Sequence, residues 1–124
     1  MKAIEIAFTV LPVNDLKVAR SFYEEALNLK ATSVFEKDGM GMIEYDIGPG
    51  TLAIGSGAPL FKPTKDGGAV ALEVEDFDKA MANLKAKNVN VVMDAFETPV
   101  CFMATIADPD GNYIIIHKRK PNHA

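Results

Sequence analysis

The sequence predicts an α+β fold in which one β-α-β-β-β unit is used twice, giving eight strands with helices packed outside. Three observations predict it. The stretch FTVLPVNDL (residues 8–16) matches AVALEVEDF (residues 69–77), with Leu11 aligned to Leu72, Val13 to Val74 and Asp15 to Asp76. Each match is followed by apolar residues at helical spacing, and each helix is followed by three alternating, strand-like stretches. Self-similarity at a long period marks a repeated structural unit, and neither half has the means to bury its sheet alone.

The elements follow in order. In both repeats an alternating strand stops at an acidic residue, Asp15 or Asp76, whose side chain can accept from the exposed N–H groups of a first helical turn. In the first helix Leu16, Ala19, Phe22, Tyr23, Ala26 and Leu27 recur at spacings of three and four. In the second, Phe77, Ala80, Met81 and Leu84 do the same. The helices are expected to end near Asn28 and Asn88. The strands of the first repeat are ATSVFEK, MIEYDI and TLAIG, separated by turns at DGMG and GPG. Those of the second are VNVVMDAF, CFMATIA and YIIIHKR, the last two joined by DPDGN. In that turn Pro109 fixes φ, Asp110 suits the corner and Gly111 takes the left-handed conformation. The Gly-, Pro- and Lys-bearing stretch 55–68 reads as the connection between repeats, part of it placed to cover a cavity.

Composition bounds the function. The 124 residues suit one domain, with module one at about 1–57 and module two at about 66–120. Hydrophobic residues at 48% and charged residues at 24% fit a globular chain. A net charge of −4 argues against a general nucleic-acid binder, and the basic run Lys118, Arg119, Lys120 reads as solvated. Cys101 is the only cysteine, which rules out an intramolecular disulfide and a Cys-rich zinc site. No apolar run approaches the length of a membrane span and the N-terminus does not read as a signal peptide, so no membrane association and a cytoplasmic location are expected.

The segments PVNDLKVARSFYEEALNL (12–29), VALEVEDFDKAMANL (70–84) and DPDGNYI (108–114) resemble the vicinal oxygen chelate superfamily of glyoxalase I, extradiol dioxygenases and the fosfomycin and bleomycin resistance proteins. The resemblance covers nearly the whole chain. It implies that the paired modules curl into an eight-stranded mixed sheet around a ligand cavity. It also implies where a metal-binding member carries its ligands. The first is a His seven residues before the acidic cap, which here is Phe8. Its counterpart in the second repeat is Ala69. A Glu two residues after the position following DPDGN is here Ile115, and its counterpart falls at Ala53 or Ile54. None of these side chains offers the oxygen, nitrogen or thiolate donor that a divalent ion requires. The expectation is a scaffold without metal or other cofactor, with Phe8 and Ile115 making the cavity apolar.

Alternation sorts the remaining candidates by face. Phe8, Val10 and Pro12, Ala69, Ala71 and Glu73, and Tyr113, Ile115 and His117 are expected on the cavity side. His117 suits a hydrogen-bond donor or general base, because its ordinary pKa of about 6.5 allows proton transfer near neutrality. The competing reading is a polar residue where a strand leaves the sheet. Glu73, inside an otherwise buried strand, suits a base or an anchor for a cationic or hydroxylated ligand, or else sits in water or pairs with a lysine. Of Glu44 and Tyr45, strand neighbours, one faces the cavity. Hairpin counting about DPDGN sets residues 103 or 104 opposite 116 or 117, so Cys101 lies beyond His117 and reads as buried and inert.

The resulting expectation is a metal-free, homodimeric protein holding a small organic ligand in a largely apolar cavity, in the manner of bleomycin-resistance-like proteins. The ligand-binding residues are Phe8, Glu44, Tyr45, Glu73, Tyr113, Ile115 and His117. The alternative is a glyoxalase-like lyase or isomerase, or a dioxygenase, with a relocated metal site or metal-free acid–base catalysis. Glu44, Glu73 and His117 are the only residues that suit relocated ligands.

Overall fold

The computed structural model describes residues 1–57 and 62–121. The chain divides into two compact units, residues 1–64 and 65–124. The expectation that the 55–68 loop covers a cavity falls partly on residues 58–61, which lie outside the described residues.

The first unit runs β1 (Thr9–Pro12), α1 (Leu16–Arg20), β2 (Ser33–Lys37), β3 (Met40–Ile47) and β4 (Gly50–Ser56). Its sheet has the order β1-β4-β3-β2, with β1 parallel to β4 and the other pairs antiparallel. Asp15 caps α1 by accepting from the Lys17 and Val18 N–H groups. Beyond Arg20 the helix widens into a π-helical segment over Ser21–Ala26, where the Leu27 N–H donates to the Phe22 carbonyl five residues back. Asn28 then stops the helix in the left-handed region at φ 58°, a conformation Asn tolerates better than most residues. The β2–β3 hairpin turns on Asp38 and Gly39, both at positive φ, as a tight two-residue turn requires. Gly41 follows at φ 148°, and a Cβ there would lie 1.9 Å from the Phe35 carbonyl oxygen, so only glycine fits.

The second unit repeats the plan with β5 (Ala69–Glu73), α2 (Phe77–Ala86), β6 (Asn90–Glu97), β7 (Cys101–Ala107) and β8 (Tyr113–Arg119). Its sheet order is β5-β8-β7-β6, with β5 parallel to β8. Asp76 caps α2 by accepting from the Lys79 N–H, and Asn88 ends it at φ 59°. The α+β class and the two β-α-β-β-β units are as the sequence predicts, with the eight strands organised as two four-stranded mixed sheets, neither of them closed.

Each unit buries one sheet face beneath its helix. In the first, Leu11, Ile43, Tyr45, Leu52 and Ile54 are buried with Leu16, Ala19 and Tyr23. In the second, Ala104, Ile106, Ile114 and Ile116 are buried with Phe77, Met81 and Leu84. Apolar burial at helical and alternate-strand spacing drives this arrangement. The DPDGN turn is more than a corner. Asp108 accepts from the N–H groups of Asp110 and Asn112, at 2.9 and 2.8 Å, and from the Asn112 side-chain amide at 2.8 Å. Both Asp108 and Asn112 are buried, and these bonds within the turn hold the β7–β8 register.

Candidate ligand-binding face

The register of the second sheet brings two sequence candidates together. In the parallel β5–β8 pair Glu73 stands opposite His117, and in the antiparallel β7–β8 pair Met103 stands opposite His117. Glu73 Oε1 lies 2.6 Å from His117 Nδ1, and Glu73 Oε2 accepts the Arg119 backbone N–H at 2.7 Å. Arg119 Nη1 is 3.8 Å from Glu73 Oε1. Burial pushes the Glu73 pKa up. The hydrogen bonds from His117 and the Arg119 backbone, with the charges of both residues, outweigh it and hold the carboxyl below the usual carboxylate range. Both side chains remain partly open to solvent, 23% for His117 and 37% for Glu73.

Around this pair the face is largely apolar, with Thr105 of β7 opposite Ile115. Ala71 stands opposite Ile115 on the same side as Glu73 and His117, and Ala69 stands opposite Tyr113. Phe96 of β6 stands opposite Met103. Ile115 and Met103 are half-buried, in contrast to the fully buried Ile114 and Ala104 on the helix side. Cys101 stands opposite Arg119, two pairs from His117 as hairpin counting predicts. It is buried, with its Sγ 3.2 Å from Thr98 Oγ1.

The other candidates lie in the first unit. Phe8 precedes β1 and is 44% exposed. Glu44 is half-buried and shares a face with Ser33 and Ala53. Tyr45 points the other way, into the core beneath the helix, fully buried and stacked on Tyr23 at 6.0 Å. Its hydroxyl donates to Glu24 Oε2 at 2.9 Å, and Arg20 grips the same carboxylate from Nε at 2.6 Å and from its terminal nitrogen at 3.1 Å. Burial, and then the Glu24 hydrogen bond, push the Tyr45 hydroxyl far above its usual pKa, so it stays protonated. This Arg20–Glu24–Tyr45 network escapes sequence reading, although the i, i+4 spacing of Arg20 and Glu24 is its one visible sign.

Open depressions also mark the surface among the described residues. One of about 270 Å³ in the second unit is lined by Glu75, Asp76, Phe77, Asp78, Phe102 and Lys118, and does not include Glu73 or His117. One of about 490 Å³ in the first unit is lined by Phe35, Lys37, Asp38, Met40, Gly41, Ser56 and Gly57.

The residues at the superfamily's metal-ligand positions do not fit a metal. Phe8, Ala69, Ile115 and the Ala53–Ile54 pair carry no donor atoms, and Ala53 and Ile54 are fully buried. Among the described residues no group of three or more His, Cys, Asp or Glu side chains is placed to hold an ion.

A family model for the Glyoxalase/Bleomycin resistance protein/Dioxygenase superfamily matches residues 5–116, across both units. The chain belongs to this superfamily. Solved structures of similar fold include TnmS3, an antibiotic binding protein from Streptomyces sp. CB03234. It is 22% identical with a TM-score of 0.80, over 97% of this chain and 99% of that one. A lactoylglutathione lyase from Agrobacterium tumefaciens is 19% identical with a TM-score of 0.74, over 94% and 95% of the two chains. A glyoxylase/bleomycin resistance protein/dioxygenase domain from Frankia sp. EAN1pec is 17% identical with a TM-score of 0.76, over 96% and 100%. No curated protein matches the chain. The scaffold is two β-α-β-β-β modules. No helix among the described residues is long and apolar enough to cross a membrane.

Proposed function

We propose that the protein binds a small organic molecule without a metal, against the largely apolar sheet face that carries Glu73 and His117. One observation carries this reading. A hydrogen-bonded acid–imidazole pair sits on an apolar strip of Ala71, Ile115 and Met103, in the second unit where the superfamily's metal donors give way to Ala69 and Ile115. An apolar surface with a few convergent polar groups is the usual make-up of a ligand site. The antibiotic-binding neighbour TnmS3 supports binding as a role this scaffold can take. The negative charge of the chain favours neutral or cationic ligands over anionic ones. Ile115 and Tyr113 line the face beside His117, and Phe8 and Glu44 are candidate contacts within the first unit. The working form is a homodimer in the cytoplasm, and its dimeric state is supported by apolar side chains left exposed on the edge strands, Val34 and Phe35 on β2 and Val92, Met93 and Phe96 on β6.

A second reading, an enzyme of the lyase or isomerase type, draws on the same pair, since a carboxylate-held imidazole is also the equipment of a general base. The two are separated by screening the untagged protein for thermal stabilisation by neutral and cationic aromatic compounds, beside Zn, Mn, Ni and Fe. Ligand binding to the folded state raises the melting temperature by mass action. Stabilisation by aromatic compounds that is lost in His117→Gln and Glu73→Gln supports the binding reading. Stoichiometric retention of a metal, with stabilisation by it, would replace that reading with the enzyme.

A further inference from the structure

Glu73 and His117 form one unit with a fixed polarity. A carboxylate can only accept hydrogen bonds, so the 2.6 Å contact places the imidazole proton on Nδ1. The Arg119 backbone N–H occupies the other carboxylate oxygen at 2.7 Å and keeps the group from turning away. The two residues are a register pair of the β5–β8 ladder, and the Val74 N–H donates to the His117 carbonyl at 2.9 Å, so the backbone fixes both ends of the contact. In the neutral ring the lone pair then lies on Nε2, and among the described residues nothing hydrogen-bonds that atom. A carboxylate behind an imidazole fixes its tautomer and ring orientation.

The surroundings narrow the partner. The charged groups facing His117 are Glu73 from β5 and Arg119 from its own strand. β7 contributes Met103 opposite His117 and Cys101 opposite Arg119. Small residues at Ala69 and Ala71 let a flat ring approach the strand, and a methionine sulfur packs well against an aromatic edge. A carboxylic acid is already ionised at neutral pH, so it has no proton to give Nε2 and brings a charge toward Glu73. An ammonium would lose hydration on the apolar strip. A weakly acidic hydroxyl on an aromatic or conjugated frame meets neither objection.

Resting on the binding role proposed above, we infer that the Glu73–His117 pair recognises a phenolic or enolic hydroxyl, with His117 Nε2 accepting its proton while the ring lies on the Ala71–Ile115–Met103 strip. In the transfer the ligand's O–H bond breaks, its electron pair stays on oxygen and an Nε2–H bond forms. Total charge is unchanged, and the imidazolium is held between phenolate and carboxylate.

The test uses 4-nitrophenol, whose phenolate is coloured, and 4-nitroanisole, its methyl ether, which cannot donate. Both are titrated into the full chain and into His117→Gln and Glu73→Gln. The wild type is expected to bind 4-nitrophenol about tenfold or more tighter than the ether, the scale of a hydrogen bond to a group that becomes charged. The bound dye is expected to show a raised phenolate fraction. His117→Gln removes both effects and Glu73→Gln lowers the phenolate fraction, and circular dichroism with thermal melts shows that both variants are folded. Equal affinity for phenol and ether, or a preference that survives in both variants, overturns the inference and leaves the binding role standing. Failure of both probes to bind overturns the two together.

Discussion

Replacing Tyr45 by Phe removes one hydroxyl and leaves the ring in place. The ring is fully buried on Tyr23, so the change isolates the 2.9 Å bond to Glu24 Oε2. Hydrogen bonds to charged groups contribute about 1.5–3 kcal/mol. Arg20 still grips Glu24 in the variant, and the Glu24 side chain is 27% exposed, so water replaces part of the lost bond. The low end, about 1.5 kcal/mol, is therefore expected. At roughly 4 °C per kcal/mol for a chain of this size, the melting temperature should fall by about 6 °C. The effect depends on pH with a definite sign. The Arg20 hydrogen bond, opposed by burial and helped by Tyr45 and the Arg20 charge, lowers the Glu24 pKa. A lowered folded-state pKa means stability that is present above the unfolded value of about 4.3 and lost as pH falls through the folded value. The penalty of Tyr45→Phe should thus be full at neutral pH and shrink in acid. Thermal melts of Tyr45→Phe, Glu24→Gln and the double variant check this, the double variant being less destabilised than the sum of the two singles. A melting temperature within about 1 °C of the wild type at neutral pH, or fully additive single effects, would refute the reasoning.

Two further substitutions test the frame that positions the site. Asp108→Ala strips three hydrogen bonds from a buried turn, those to the Asp110 and Asn112 N–H groups and the Asn112 amide. It should cost about 3 kcal/mol in urea unfolding and blur the β7–β8 register that places His117. Gly41→Ala drives a Cβ into the Phe35 carbonyl oxygen at a positive φ, and should cost about 3 kcal/mol or leave the chain largely insoluble on expression.

Much of the fold is legible in the sequence because its signals are local. The Asp15 and Asp76 caps, the left-handed Asn28 and Asn88 and the DPDGN turn each act within a few residues, and each appears where the pattern places it. Hairpin counting about DPDGN reaches the Met103–His117 and Ala104–Ile116 pairs for the same reason. The Glu73–His117 contact needs more. The two residues are far apart in sequence, and only the parallel β5–β8 register makes them a pair, so alternation places them on one face but not in contact. Tyr45 illustrates the opposite limit. Alternation says that one of Glu44 and Tyr45 faces away from the helix, but the partly buried Glu24 and Arg20, which hold the tyrosine hydroxyl, show that Tyr45 is the one beneath it. The π-helical widening over Ser21–Ala26 has no counterpart in apolar spacing alone.

The most direct test of the central claim is to map a bound aromatic probe by amide and methyl chemical shifts at saturating 4-nitroanisole. The account predicts the largest shifts at Ala71, Glu73, Met103, Ile115 and His117, with the buried Ile114 and Ile116 little affected. Shifts confined to the depression around Phe77 and Phe102, or no saturable shifts at all, would contradict it.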